Sequence, residues 1–149
     1  MKALKQLTIV LMLAVFAVVS ITGTAIAAKT IKMHHLNKDD PFDNPTGAMA
    51  TVFKSLVEAG TNGSVVVQTF PSGQLGKDKD ALQQVKAGVI QAGIHSVGGF
   101  ASVYPLIGIL DIPFAFPNIS KTYEVFDGQF GAKLAVDINK KTGLHVLGF

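Results

Sequence analysis

Short runs of apolar, β-branched residues alternate along this chain with longer amphipathic stretches, and turn-forming residues separate the two. Thr30–Leu36 reads as a first strand with His34-His35 at its end, and Asn37-Lys38-Asp39-Asp40-Pro41-Phe42 then interrupts regular structure. Asn44-Pro45 gives a helix cap followed by proline at the first helical position, and Met49, Phe53, Leu56 and Val57 recur on one face of a helix ending near Gly60 or Gly63. Ser64–Phe70 is a second strand, apolar enough to be covered on both faces. Phe70-Pro71-Ser72-Gly73-Gln74-Leu75-Gly76 joins it to an amphipathic helix over Lys77–Gly88, with Asp78 and Asp80 in the first turn and Leu82 and Val85 on the core face. Val89–Ile94 is a third strand ending at His95-Ser96, and Val97-Gly98-Gly99-Phe100 turns the chain.

Two successive strand–helix–strand units imply parallel strands, right-handed crossovers and helices on both faces of the sheet. The strand ends at His35, Phe70 and His95 then share one edge, where open α/β sheets bind ligands. Beyond that edge the pattern blurs. Phe100–Leu110, interrupted by Pro105 and Gly108, predicts a short helix and then an extended stretch through Asp111-Ile112-Pro113. Ser120 is placed to cap a helix that turns Tyr123 and Phe126 inward. Phe130, Leu134 and Ile138 mark the core face of another helix, closed by Gly143. Leu144–Phe149 reads as a strand, and an apolar strand at the end of a chain predicts that more should follow.

The first 27 residues stand apart from this pattern. Lys2 and Lys5 precede the apolar run Leu7–Val19, and Ala25-Ile26-Ala27 supplies small residues at its end, a secretory signal with cleavage expected before Ala28. The run is short for a membrane anchor. Without Lys2 and Lys5 the formal charge falls from +3 to +1, with 11 lysines against 10 carboxylates, which offers no footprint for nucleic acid. The chain has no cysteine, so disulfides, thiol chemistry and a lipid-modified cysteine anchor are excluded. A product free in the periplasm is expected. All 13 basic residues are lysines; there is no arginine.

Candidate chemistry is sparse. His34 and His35 are strand neighbours and point to opposite faces, so they do not ligate one ion together, and no His-x-x-x-His spacing occurs. Hydrogen-bonding or core roles are favoured over metal. The Asp39, Asp40 and Asp43 cluster lacks the order of a calcium loop and fits turn formation better. Asp111, inside an apolar stretch, must be exposed or paired. Gly73 and Gly76 make no dinucleotide fingerprint, and no cofactor motif is present. No serine stands in a nucleophile setting that His95 would serve as base, so an enzyme is not expected. Phe114, Phe116 and Phe126 read as core.

The ordered set Phe-Pro-Ser-Gly-Gln-Leu-Gly, Leu82–Gly88, Leu110-Asp111-Ile112-Pro113-Phe114-Ala115-Phe116 and Lys141–Phe149 resembles the DctP-type solute receptors of tripartite ATP-independent periplasmic (TRAP) transporters. That resemblance implies a two-lobed receptor that captures a small organic acid in the periplasm and passes it to membrane permease subunits driven by an ion gradient. Residues 28–149 would then be the N-terminal α/β lobe, with the second lobe and its carboxylate-binding arginine absent. The lining expected from this lobe is His35, His95 and Ser96, with Phe70 and Gln74 at the rim. Many relatives carry Glu where Ser96 stands, a departure that bears on ligand class. Competing readings are an ABC-type periplasmic binding protein, a small hydrolase using His95, and an inactive fragment of a truncated gene.

Overall fold

The computed structural model describes residues 28–149; the expected secretory signal, residues 1–27, lies outside the described residues. Three strands, β1 (Lys29–His35), β2 (Val65–Phe70) and β3 (Ala92–Ile94), form a parallel sheet in the order β2-β1-β3. Helix α1 (Pro45–Gly60) links β1 to β2, and α2 (Asp78–Lys86) links β2 to β3. The chain moves to one side of β1 in the first crossover and back across it in the second. Right-handed connections therefore put the two helices on opposite faces. Side chains agree: Met33 packs with Ala50 and Val67 under α1, whereas its neighbour His34 faces the start of α2.

Asn44 caps α1 as expected, its side chain accepting from the backbone N–H groups of Thr46 and Gly47. The buried stripe of that helix differs from the expected one. Gly47 and Ala50 are buried and Phe53 and Val57 half-buried, while Met49 and Leu56 are exposed. Small residues let the helix approach closely: a Cβ on Gly47 would lie 2.6 Å from the Asp40 carbonyl oxygen. The helix is thereby rotated away from its bulkier face.

Strand β2 is covered on one face only, since Val67 is buried but Val66 and Gln68 are exposed. Strand β3 is shorter than the apolar run that announced it. The N–H groups of Val89 and Ile90 are committed to the Gln84 carbonyl at the end of α2, around Gly88 in a left-handed conformation. Pairing starts only once those bonds end.

Past the sheet come a helical turn α3 (Val97–Phe100), a 3-10 helix (Pro105–Asp111), α4 (Ile119–Phe126) and α5 (Gln129–Thr142). Tyr104, Ile107 and Ile138 form a second core, flanked by Phe100, Leu110, Leu134 and Val146. Asn118, not Ser120, caps α4 by accepting from Lys121 N–H, and Tyr123 is exposed rather than turned inward. Phe130 is likewise nearly half exposed. Phe126 does reach a cluster with Phe116, Phe130 and Phe149, but Phe114 lies in solvent. Asp111 ends the 3-10 helix exposed. Gly143 closes α5 at φ +77°, as expected. Leu144–Phe149, expected as a strand, forms none and pairs with none of the three described strands. Among the described residues, no helix is long and apolar enough to cross a membrane.

One polar trio ties the second core to α5. Asp137 accepts from the Tyr104 hydroxyl and from Lys141 Nζ at 2.8 Å. These bonds, Lys141's first, hold the Asp137 carboxyl below its ordinary range. The bond to Asp137 raises both Tyr104 and Lys141. A lowered carboxylate contributes stability that is lost as pH falls below about 4, and raised phenol and amine groups contribute stability that is lost as pH climbs past about 10. Melting temperature should therefore decline at both limits, and Asp137→Asn should flatten both declines. A pH profile unchanged in that variant would remove the trio from the account.

Candidate functional site

Because all three strands run the same way, their carboxyl ends gather at one edge of the sheet. His34 sits between Phe70 and Gly93 in the register, and His35 beside Ile94. The loops leaving that edge are tied to one another. Ser72 N–H donates to the Asn37 carbonyl at 2.9 Å and Gly73 N–H to the His35 carbonyl at 3.2 Å. Ser72 and Gly73 adopt φ of +54° and +71°, which folds the Pro71–Lys77 joint back onto the end of β1. Asn37 is itself held to the start of α1 through Asn44 and Thr46.

On the α2 side of the edge, three ionisable side chains meet. His34 is fully buried and its ring lies 5.7 Å, centroid to centroid, from that of His95. Gly93, two residues before His95 in the strand alternation, leaves the space the His95 ring occupies; a Cβ there would lie 3.1 Å from two of its carbons. His95 Nδ1 is 2.8 Å from Asp78 Oδ1, and Ser96 Oγ donates to Asp78 Oδ2 at 3.1 Å. Ser96 also caps α3, accepting from Gly99 N–H at 3.0 Å. Gly99 in turn is pressed against the carboxylate, since a Cβ on it would lie 2.6 Å from Asp78 Cβ.

Burial, then the neighbouring His95, holds the His34 imidazole below its ordinary range, with Asp78 opposing and His35 adding to the effect. The ring is neutral at neutral pH. Among the described residues, neither of its nitrogens has a hydrogen-bond partner, and His95 Nε2 has none.

His35 occupies the opposite face of β1, also fully buried. Asp39 Oδ1 lies 3.7 Å from its Nε2, beyond hydrogen-bond reach, and the other Asp39 oxygen accepts from Thr69 Oγ1 at 3.1 Å. Phe70 is half-buried and Gln74 exposed on the joint. Of the five lining residues expected from sequence, His95 and Ser96 share one network, His35 stands across the strand from them, and Phe70 and Gln74 edge the loop. Asp78 joins the network although sequence suggested only a helix-start carboxylate. The strand alternation of Gly93 and His95 held the one available hint of the His34 contact.

Ser96 donates to Asp78 Oδ2 and His95 Nδ1 meets Asp78 Oδ1, so the carboxylate stands between hydroxyl and imidazole, and the His95 ring does not contact the Ser96 hydroxyl.

Comparison with known proteins gives the chain a family. A family profile described as DctP, bacterial extracellular solute-binding protein, family 7, matches residues 36–149. The C4-dicarboxylate-binding periplasmic protein DctP of Rhodobacter capsulatus is 33% identical over 108 residues, covering 68% of this chain and 32% of that protein. A TRAP periplasmic solute-binding protein of Rhodobacter sphaeroides, solved in an open form without ligand, superposes with a TM-score of 0.73 at 30% identity, over 80% of this chain and 38% of that one. A TRAP receptor of Sulfurospirillum deleyianum solved with bound succinate gives 0.67 at 33% identity, over 77% of this chain and 36% of that one. The chain spans about a third of the length of the curated relatives it matches. These relatives are solute-binding proteins, not enzymes.

Proposed function

Because the chain belongs to the DctP family of bacterial extracellular solute-binding proteins, we propose that it forms the first lobe of a TRAP transporter receptor and contacts a small organic acid at the shared strand edge. The observation that carries this reading is the convergence of β1, β2 and β3 on one loop-rimmed edge, in a lobe that superposes on TRAP receptors. His35, His95, Ser96, Phe70 and Gln74 line that edge. Residues 1–27 direct export and are removed before Ala28, which leaves the lobe in the periplasm, where membrane permease subunits accept the ligand from the closed receptor. The succinate bound by the Sulfurospirillum protein makes a dicarboxylate the first ligand to try.

The sequence contains no arginine, so a carboxylate at this edge meets neutral donors and lysines rather than a bidentate guanidinium. Tight affinity then depends on a second lobe closing over the ligand, the hinge mechanism of two-lobed receptors. Titration of the isotopically labelled chain with succinate provides the test. Weak binding is expected, in the millimolar range, with chemical-shift changes centred on His35, Phe70, Gln74, His95 and Ser96. Changes centred elsewhere would overturn the site, and sub-micromolar affinity from this chain would overturn the dependence on a second lobe.

A further inference from the structure

His34 has no role in the organic-acid reading, and the cluster it forms with His95 and Asp78 has a chemistry of its own. His34, Asp78 and His95 each bring one donor atom within 4.8 Å of the other two. We propose that these three side chains form a binding site for a divalent transition-metal ion of the zinc type, which shares His95 with the strand edge proposed to meet the organic acid.

Two features of the cluster support the site. Among the described residues, His34 Nδ1 and Nε2 and His95 Nε2 are buried without a hydrogen-bond partner. Such orphaned polar atoms are costly in a folded chain, and coordination to a metal satisfies one nitrogen of a ring. The third donor is also already fixed from behind: Ser96 Oγ holds the second oxygen of Asp78 at 3.1 Å, and Gly99 leaves that carboxylate no room to retreat. An outer hydrogen bond of this kind orients a ligating carboxylate.

Donor type selects the ion. Two imidazoles and one carboxylate suit zinc and its first-row neighbours, whereas calcium and magnesium require shells of oxygen. Zinc bonds of about 2.0–2.1 Å place tetrahedral donors about 3.4 Å apart, so donors up to 4.8 Å apart must close by at most about 1.4 Å. Three protein ligands leave one position for water or another oxygen donor.

The test uses the whole chain, expressed with its own leader and without a histidine tag, then stripped with a chelator. Titration with zinc chloride is expected to show one tight equivalent and to raise the melting temperature. Cobalt chloride should give visible absorption bands of nitrogen and oxygen coordination. His95→Gln retains a polar partner for Asp78 yet should weaken zinc binding by about 100-fold. His34→Leu should abolish the metal-dependent shift while melting no lower than the stripped parent, since it removes an unpartnered buried imidazole. Absence of a tight equivalent in the parent would overturn the site. So would zinc affinity that survives His95→Gln unchanged, because the metal would then be held elsewhere. If His34→Leu fails to fold, His95→Gln alone decides between these outcomes.

Discussion

Gly131→Ala is expected to lower the stability of the lobe by about 3 kcal/mol, the range of a severe overpacking, and its melting temperature by about 10 °C. The added Cβ would lie 2.7 Å from the Phe126 carbonyl carbon and 3.0 Å from its Cα, and closer still to the carbonyl oxygen. Those atoms are backbone and cannot rotate aside. Only Asp127 and Gly128 separate α4 from α5, so the strain cannot be spread along a loop. The joint must open, and Phe126 must withdraw from Phe116, Phe130 and Phe149. Gly60→Ala is the matched control, because nothing lies within 4 Å of the new methyl and the residue is helical. Circular-dichroism melts of the two variants should diverge sharply. If Gly131→Ala melts within about 2 °C of the parent, close approach of the two helices is not what Gly131 provides.

Asp78→Ala should cost a similar amount, about 3 kcal/mol, for a different reason. The carboxylate is buried, and among the described residues it is the sole hydrogen-bond partner of His95 Nδ1 as well as the acceptor for Ser96. Its removal leaves an imidazole with no partner on either nitrogen and frees the Ser96 hydroxyl. Asp78→Asn keeps the volume and some hydrogen bonding and should lose roughly half as much. Thermal melts give the stability, and imidazole nitrogen shifts of His95 report the bond directly. Equal melting of Asp78→Ala and the parent would mean that the carboxylate does not anchor the edge.

The sheet was legible because its cause is local and repeated. β-branched runs at Thr30–Leu36 and Ser64–Phe70, each broken by Asp-Asp-Pro or Pro-Ser-Gly, permit few other readings. Helix α1 was legible at its start for the same reason, through Asn44-Pro45, but not in its orientation. Gly47 and Ala50 carry little hydrophobic signal, yet Gly47 lets the helix approach the Asp40 backbone and Ala50 packs against Met33 and Val67 of the sheet. Residues 105–117 were the least legible, since proline and glycine there remove both regular alternatives and long-range packing decides between turns. Asn118 and Ser120 are both good caps, and periodicity alone does not choose between them.

The site divides along the same line. His95 and Ser96 follow from the end of a strand, and so does their meeting at one edge with the ends of β1 and β2. The partnership with Asp78 does not. A carboxylate in the first turn of a helix already has a sufficient local explanation in the helix dipole. Its other role depends on how the second crossover delivers α2 to the end of β3, a distance relation that no spacing in the sequence encodes.

The strand order has a kinetic consequence. β1, the earliest strand in the chain, lies in the middle of the sheet, so Lys29 must wait for Val65 and Met33 for Ala92. No strand pairs with its neighbour through a tight hairpin, and each ladder closes only after an entire helical crossover has emerged. Such non-local closure is slow to nucleate. A chain whose central strand is made first and completed last stays extended for longer, which suits a polypeptide threaded through a membrane before it folds. The same delay leaves β-branched runs unpaired in the interval, so this lobe would gain more from a holding chaperone than one built from hairpins.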